Sequence, residues 1–188
     1  MRDLRVVGHD DEVPARPSAR SRRIAERFRA FMAELGVDVS DPELVDTPMR
    51  VARAYEEMLS APDPRIRTFA NINGSSQLVT LEGIPFYSIC AHHFLPFFGT
   101  VTIDYVPDER IVGLSKLPRI VDAYARRPQM QERMTEQVLG AIVEALHPRG
   151  ARVVVEARHL CLEMRGANKP GVITTTRSKS VRSSSAAA

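Results

Sequence analysis

The sequence predicts an α+β fold with a largely antiparallel sheet, and three observations carry that prediction. Apolar residues recur at helical spacing in two early segments, from Ile24 to Leu35 and from Val51 to Leu59. Val101, Ile103 and Tyr105 then alternate with Thr102 and Asp104 in a clean two-residue period. Two more helical patterns follow before the chain returns to extended segments, an order unlike that of alternating βαβ units.

Each element can be justified in turn. Ile24, Phe28, Phe31, Met32 and Leu35 share one helix face, and Gly36 stands where a C-cap belongs. Asp46-Thr47-Pro48 supplies an N-cap and an early proline to a second helix, whose apolar face is Val51, Ala52, Tyr55, Met58 and Leu59. Ala61 to Ser76, with Pro62, Pro64 and Gly74, reads as a loop. Strands are expected near Gln77 to Glu82 and Ile84 to Ile89, joined to the alternating segment in a hairpin or meander. Ser115 opens a helix through Ile120, Val121, Tyr124 and Ala125, and Met130, Met134, Val138, Ile142 and Leu146 line a longer one. Extended structure is expected again at Ala151 to Met164 and at Val172 to Thr176. The domain plan is a solvated arm over residues 1–17, a helical region over 18–60, the main domain over 61–177 and a low-complexity disordered tail over 178–188.

Composition removes several classes. A chain of 188 residues with 44% hydrophobic and 26% charged residues suits one globular domain with loose ends. No apolar run approaches the roughly 18 to 20 residues a membrane-spanning helix needs. Met1-Arg2-Asp3-Leu4-Arg5 is not a secretory leader, so a cytoplasmic location is expected. The net charge of +3 suits a polyanionic partner, yet with no Trp and 6% aromatics there is little to stack single-stranded bases.

The chemistry concentrates in Cys90-Ala91-His92-His93. Cys90 and His93 have the spacing that offers one sulfur and one nitrogen to a single metal ion from one turn. Taken alone, the segment also fits a buried thiol beside surface histidines. The only other cysteine, Cys161, follows an alternating strand that places Val153, Val155, Ala157, His159 and Cys161 on one face. If Cys161 completes the set, three protein ligands leave a fourth position open, the pattern of a catalytic zinc, with His92 and His159 available for proton transfer. A disulfide between the two cysteines is the alternative.

Gly113-Leu114-Ser115-Lys116-Leu117-Pro118-Arg119 places two cations on the first turn of a helix, which suits an anion and equally suits a solvated basic turn. Arg165, just past Cys161, would join an anion site if the two regions meet. In the polar stretch from Gln129 to Gln137, a buried carboxylate could accept from both the ring N–H and the amine of a guanine.

Together these stretches resemble the GTP cyclohydrolase I family. The resemblance runs through Thr47-Pro48-Met49-Arg50-Val51-Ala52, Phe86-Tyr87-Ser88-Ile89-Cys90-Ala91-His92-His93, Gly113-Leu114-Ser115-Lys116-Leu117 and Gln131-Glu132-Arg133-Met134-Thr135. It continues through His159-Leu160-Cys161 and Met164-Arg165-Gly166 to Thr174-Thr175-Thr176. It implies a tunnelling (T-fold) architecture whose subunit sheets assemble into a β-barrel ring, in a homo-oligomer of two stacked pentamers with active sites between subunits. It implies Zn2+ on Cys90, His93 and Cys161, proton transfer by His92 and His159 with Ser115, and purine contacts from Glu132 and Gln131. Lys116, Arg119 and Arg165, with Arg50 as an addition, would hold the triphosphate.

The implied reaction hydrolyses GTP to 7,8-dihydroneopterin triphosphate and formate, and the implied partner is GTP rather than nucleic acid or membrane. Activated water would add at purine C8 while a histidine protonates N7 or N9, before ring opening, loss of formate and an Amadori-type rearrangement of the ribose. One departure is Ala91, where the family usually carries Glu between the cysteine and the histidine pair. It favours, as alternatives, a diverged paralogue acting on another purine nucleotide or stopping at a ring-opened intermediate. A zinc-containing nucleic-acid-binding module and a non-catalytic nucleotide-binding regulator are the readings from other classes.

Overall fold

The computed structural model describes residues 17 to 181. The expected arm, apart from Pro17, and the residues after Val181 lie outside them. The chain divides into two compact units between Glu57 and Met58.

The first unit holds α1 (Ala19–Glu34) and α2 (Thr47–Met58). Ser18 caps α1 by accepting from the Ser21 N–H at 2.9 Å, satisfying one of the donors a helix start leaves open. At the other end, Gly36 N–H donates to Ala33 O and Val37 N–H to Met32 O, the bond pair of a Schellman motif. Asp46 O receives the N–H groups of Met49 and Arg50, and Pro48 occupies the first turn of α2.

The second unit holds β1 (Thr68–Ala70), β2 (Val79–Cys90), β3 (Pro96–Val106), β4 (Arg110–Val112), α3 (Lys116–Ala125), β5 (Pro128–Gln129), α4 (Gln131–Leu146), β6 (Gly150–His159), α5 (Leu160–Glu163) and β7 (Thr174–Val181). The main sheet runs in the order β5-β2-β3-β6-β7, antiparallel throughout except that β5 pairs parallel with β2. Alternation along β3 and β6 buries Val101, Ile103, Tyr105, Val153, Val155 and Ala157. They pack with Leu117, Ile120 and Val121 of α3 and Met134, Val138, Ile142 and Leu146 of α4. Each such side chain contributes about 1.5–3 kcal/mol of transfer free energy, so the two helices are held to one face of the sheet.

Four expectations are corrected. The segments at 77–82 and 84–89 form one strand, β2, interrupted by a bulge between Leu81 and Ile84 where Gly83 takes φ +70°. The stretch expected to be a loop contains β1, which pairs with β4. Extended structure does not reach Met164. β6 stops at His159 because the next rung would face Leu160 to Pro96, which has no N–H, and Cys161 therefore sits on α5. Finally, β7 continues to Val181, into the segment assigned to the tail, because Ser178, Lys179, Ser180 and Val181 pair with β6 from Val153 back to Gly150.

Candidate functional site

The turn between β2 and β3 carries Cys90, His92 and His93. It is closed by Phe94 N–H on Cys90 O at 2.9 Å and Cys90 N–H on Leu95 O at 2.8 Å, and Ala91 N–H is anchored on Gln129 O at 2.8 Å. Phe94 closes it with φ 58°, left-handed backbone that an L residue adopts at a cost of roughly 1–2 kcal/mol. The tight return brings the cysteine and the second histidine to one side: Cys90 Sγ is 3.8 Å from His93 Nδ1.

Cys161 follows β6, which finishes at the same end of the sheet as Cys90, His159 pairing with Phe97 and Phe97 with Ser88. α5 is a single turn, and it is fixed by Arg158, whose Nε and Nη2 donate to the two oxygens of Glu163 at 2.8 and 2.6 Å. That pairing holds the Glu163 carboxyl below the usual carboxylate range. Cys161 Sγ then lies 3.9 Å from Cys90 Sγ. The donor atoms of Cys90, His93 and Cys161 all fall within 4.8 Å of one another, and both cysteines are free thiols. Burial pushes the Cys161 thiol up, and the neighbouring Cys90 adds to it, while Arg165 opposes. Two soft sulfur donors and an imidazole converging at this distance could hold a metal ion.

Beside this cluster, Arg165 Nη1 lies 3.2 Å from His93 Nε2. His92 is exposed, its ring centre 6.2 Å from that of His93. His159 ends β6 and stacks on Phe97, the rings 4.6 Å apart and 3° from parallel. Its Nε2 meets Gln131 Oε1 at 2.7 Å. Burial lowers the His159 pKa, and the charge of Glu132 works in the opposite sense.

Gln131 was expected at the purine, but its side chain is buried and bonded within the protein: Nε2 donates to Val155 O, Thr174 O and Thr176 Oγ1. It supports His159 rather than facing outward, because α4 starts directly over β6 and β7. Glu132, one position on, is exposed, not the buried carboxylate expected of a guanine anchor in a single chain. Ser115 and Arg119 are exposed and Lys116 half-buried at the start of α3, where the Ser115 hydroxyl makes no capping bond; they form a second group on a separate element. Arg50 belongs to the N-terminal unit, where its guanidinium is 3.5 Å from Asp46.

Three supports escaped the sequence reading: the Arg158–Glu163 pair, the Phe97 stack and the Thr135–Thr176 hydroxyl pair at 2.6 Å. Only the alternation of β3 and β6 could have hinted that Phe97 and His159 face one another.

The chain is thus an α+β protein whose antiparallel sheet ends in a cluster of two cysteines and a histidine able to hold a metal ion. It belongs to the GTP cyclohydrolase I family, whose model matches residues 24–185. It is 45% identical to a GTP cyclohydrolase 1 of Aquifex aeolicus over 82% of this chain and 84% of that protein. It is also 45% identical to a GTP cyclohydrolase 1 of Thermobifida fusca over 90% of this chain and 84% of that protein. Among solved structures it resembles an archaeosine synthase QueF-Like in the apo form, with a TM-score of 0.46 and 21% identity over 56% of this chain and 95% of that one. Among the described residues no helix is long and apolar enough to cross a membrane.

Proposed function

We propose that this chain is a zinc-dependent GTP cyclohydrolase I of T-fold architecture, converting GTP to 7,8-dihydroneopterin triphosphate and formate. The observation that carries this reading is the convergence of Cys161, distant in sequence, on Cys90 and His93. Zinc fits the donor set of two thiolates and one imidazole, and when bound it supplies Lewis-acid activation of water.

The chain's own residues do the rest. Glu132 accepts from the guanine N1–H and amine, which selects guanine over adenine. Lys116, Arg119 and Arg165, with Ser115, bind the triphosphate, remote from the reacting carbon, so that its binding energy orients the purine. His159 and His92 move protons at the purine nitrogens and later at the ribose. The exposure of Glu132, Ser115 and Arg119 in the single chain accords with a site completed between subunits, in a ring of the family's two-pentamer kind.

Zinc-loaded protein incubated with GTP is expected to release formate together with a product that oxidises to a fluorescent pterin. Absence of formate from metal-replete protein would reject the activity. A second reading, a diverged cyclohydrolase that stops at a ring-opened intermediate, is favoured by Ala91 alone, and mass spectrometry of the product separates the two.

A further inference from the structure

The geometry points to Gln131 as a positioning residue that fixes the tautomer of His159, placing the ring proton of the neutral imidazole on Nε2. This rests on the proton-transfer role proposed for His159.

The assignment follows from donor and acceptor bookkeeping. The amide end of Gln131 near β6 and β7 lies 3.0 Å from Val155 O, 3.0 Å from Thr174 O and 3.2 Å from Thr176 Oγ1. Backbone carbonyls only accept, so the NH2 group must occupy that end; the flipped amide would set an oxygen against two oxygens. The other end, 2.7 Å from His159 Nε2, is therefore Oε1. An amide oxygen only accepts, so Nε2 must carry hydrogen.

The hydroxyls around the amide agree with that direction. Thr135 Oγ1 donates to Gln131 O at 2.8 Å, which uses its one proton. In the 2.6 Å contact between Thr135 and Thr176, Thr176 must then be the donor. That leaves the Thr176 oxygen a lone pair facing Gln131 Nε2, whose two hydrogens serve Val155 O and Thr174 O, so the longer 3.2 Å contact shares one of them. Gln131 and Thr135 are buried, so water cannot readily substitute for a misplaced partner. Phe97, stacked 4.6 Å away, stops the ring from tilting out of line. With Nε2 committed to Gln131, Nδ1 is the ring nitrogen left without hydrogen in the neutral ring.

The test is NMR of isotopically labelled histidine nitrogens in the zinc-loaded protein at mildly alkaline pH, the His159 signals assigned by their loss in His159→Asn. Nε2 is expected to resonate as a protonated nitrogen and Nδ1 as a bare one. An unprotonated Nε2 in the wild-type protein overturns the proposal, whatever the variants do. Gln131→Met, which removes both the acceptor and the donors, is expected to mix the tautomers and lower kcat by about 100-fold with KM for GTP nearly unchanged. Gln131→Glu, which keeps an acceptor toward His159, is expected to retain the Nε2–H form. A Gln131→Met protein with wild-type tautomer and kcat also overturns the proposal. Full turnover by His159→Ala would instead overturn the proton-transfer role, while the tautomer measurement stands independently of it.

Discussion

The guanidinium of Arg158 grips the carboxylate of Glu163 through two hydrogen bonds, at 2.8 and 2.6 Å, and so holds the helical turn that carries Cys161 against the sheet. The pair lies outside the donor cluster yet sets where one of its sulfurs stands. Glu163→Gln, which weakens the grip at constant size, is expected to lower zinc affinity by about 10- to 100-fold. Competition with a chromogenic chelator measures this, with circular dichroism as the control for folding. Unchanged affinity would show that α5 holds its place without the pair.

Metal content separates ligands from proton carriers. Cys90→Ala and Cys161→Ala are expected to lose zinc, whereas His92→Ala and His159→Ala keep it and lose turnover. Elemental analysis of the purified variants decides, and equal zinc loss in all four would dissolve the division of roles.

On the reading proposed above, Glu132 would face the guanine, and Glu132→Gln would replace one of its acceptors by a donor. A hydrogen bond to a charged group is worth about 1.5–3 kcal/mol, so KM for GTP is expected to rise about 10- to 100-fold. Inhibition by inorganic triphosphate should stay as it was, since Lys116, Arg119 and Arg165 are untouched. A GTP titration with unaltered KM would place the guanine elsewhere.

Gly99 of β3 stands opposite Ala157 of β6. A methyl group there would meet the Glu156 carbonyl oxygen at 1.8 Å and Ala157 Cα at 2.8 Å, both backbone atoms that cannot step aside. Gly99→Ala is expected to destabilise the protein by about 3 kcal/mol, seen as a lower urea midpoint. A midpoint equal to wild type would mean the two strands can separate without loss.

The sequence made the repetitive parts of this fold visible. Met134, Val138, Ile142 and Leu146 repeat at helical spacing because one face of α4 is buried, and Val153, Val155 and Ala157 alternate because one face of β6 is. The metal cluster was legible for a different reason: thiols and imidazoles are scarce, and their spacing reflects ligation chemistry. The end of β6 was not legible, since alternation continues through His159 to Cys161 and the stop is imposed by Pro96 on another strand. β1 and β4 are too short for periodicity and are defined only by pairing with each other. Nor could a linear motif tell that Gln131 turns back over β6 and β7 while its neighbour Glu132 stays exposed, because that choice is made by the direction in which α4 leaves the sheet.

The 3.9 Å separating the sulfurs of Cys90 and Cys161 has a chemical consequence for anyone handling the protein. Stripped of its ion by a chelator in air, the chain would keep two thiols a short movement from a covalent crosslink of about 2 Å. Once crosslinked, neither sulfur can ligate until a reductant reopens the bond. On the proposed reading, a bound zinc ion would in that sense also be a protecting group, and preparations that look permanently dead after chelation should recover when thiol reduction precedes the return of zinc.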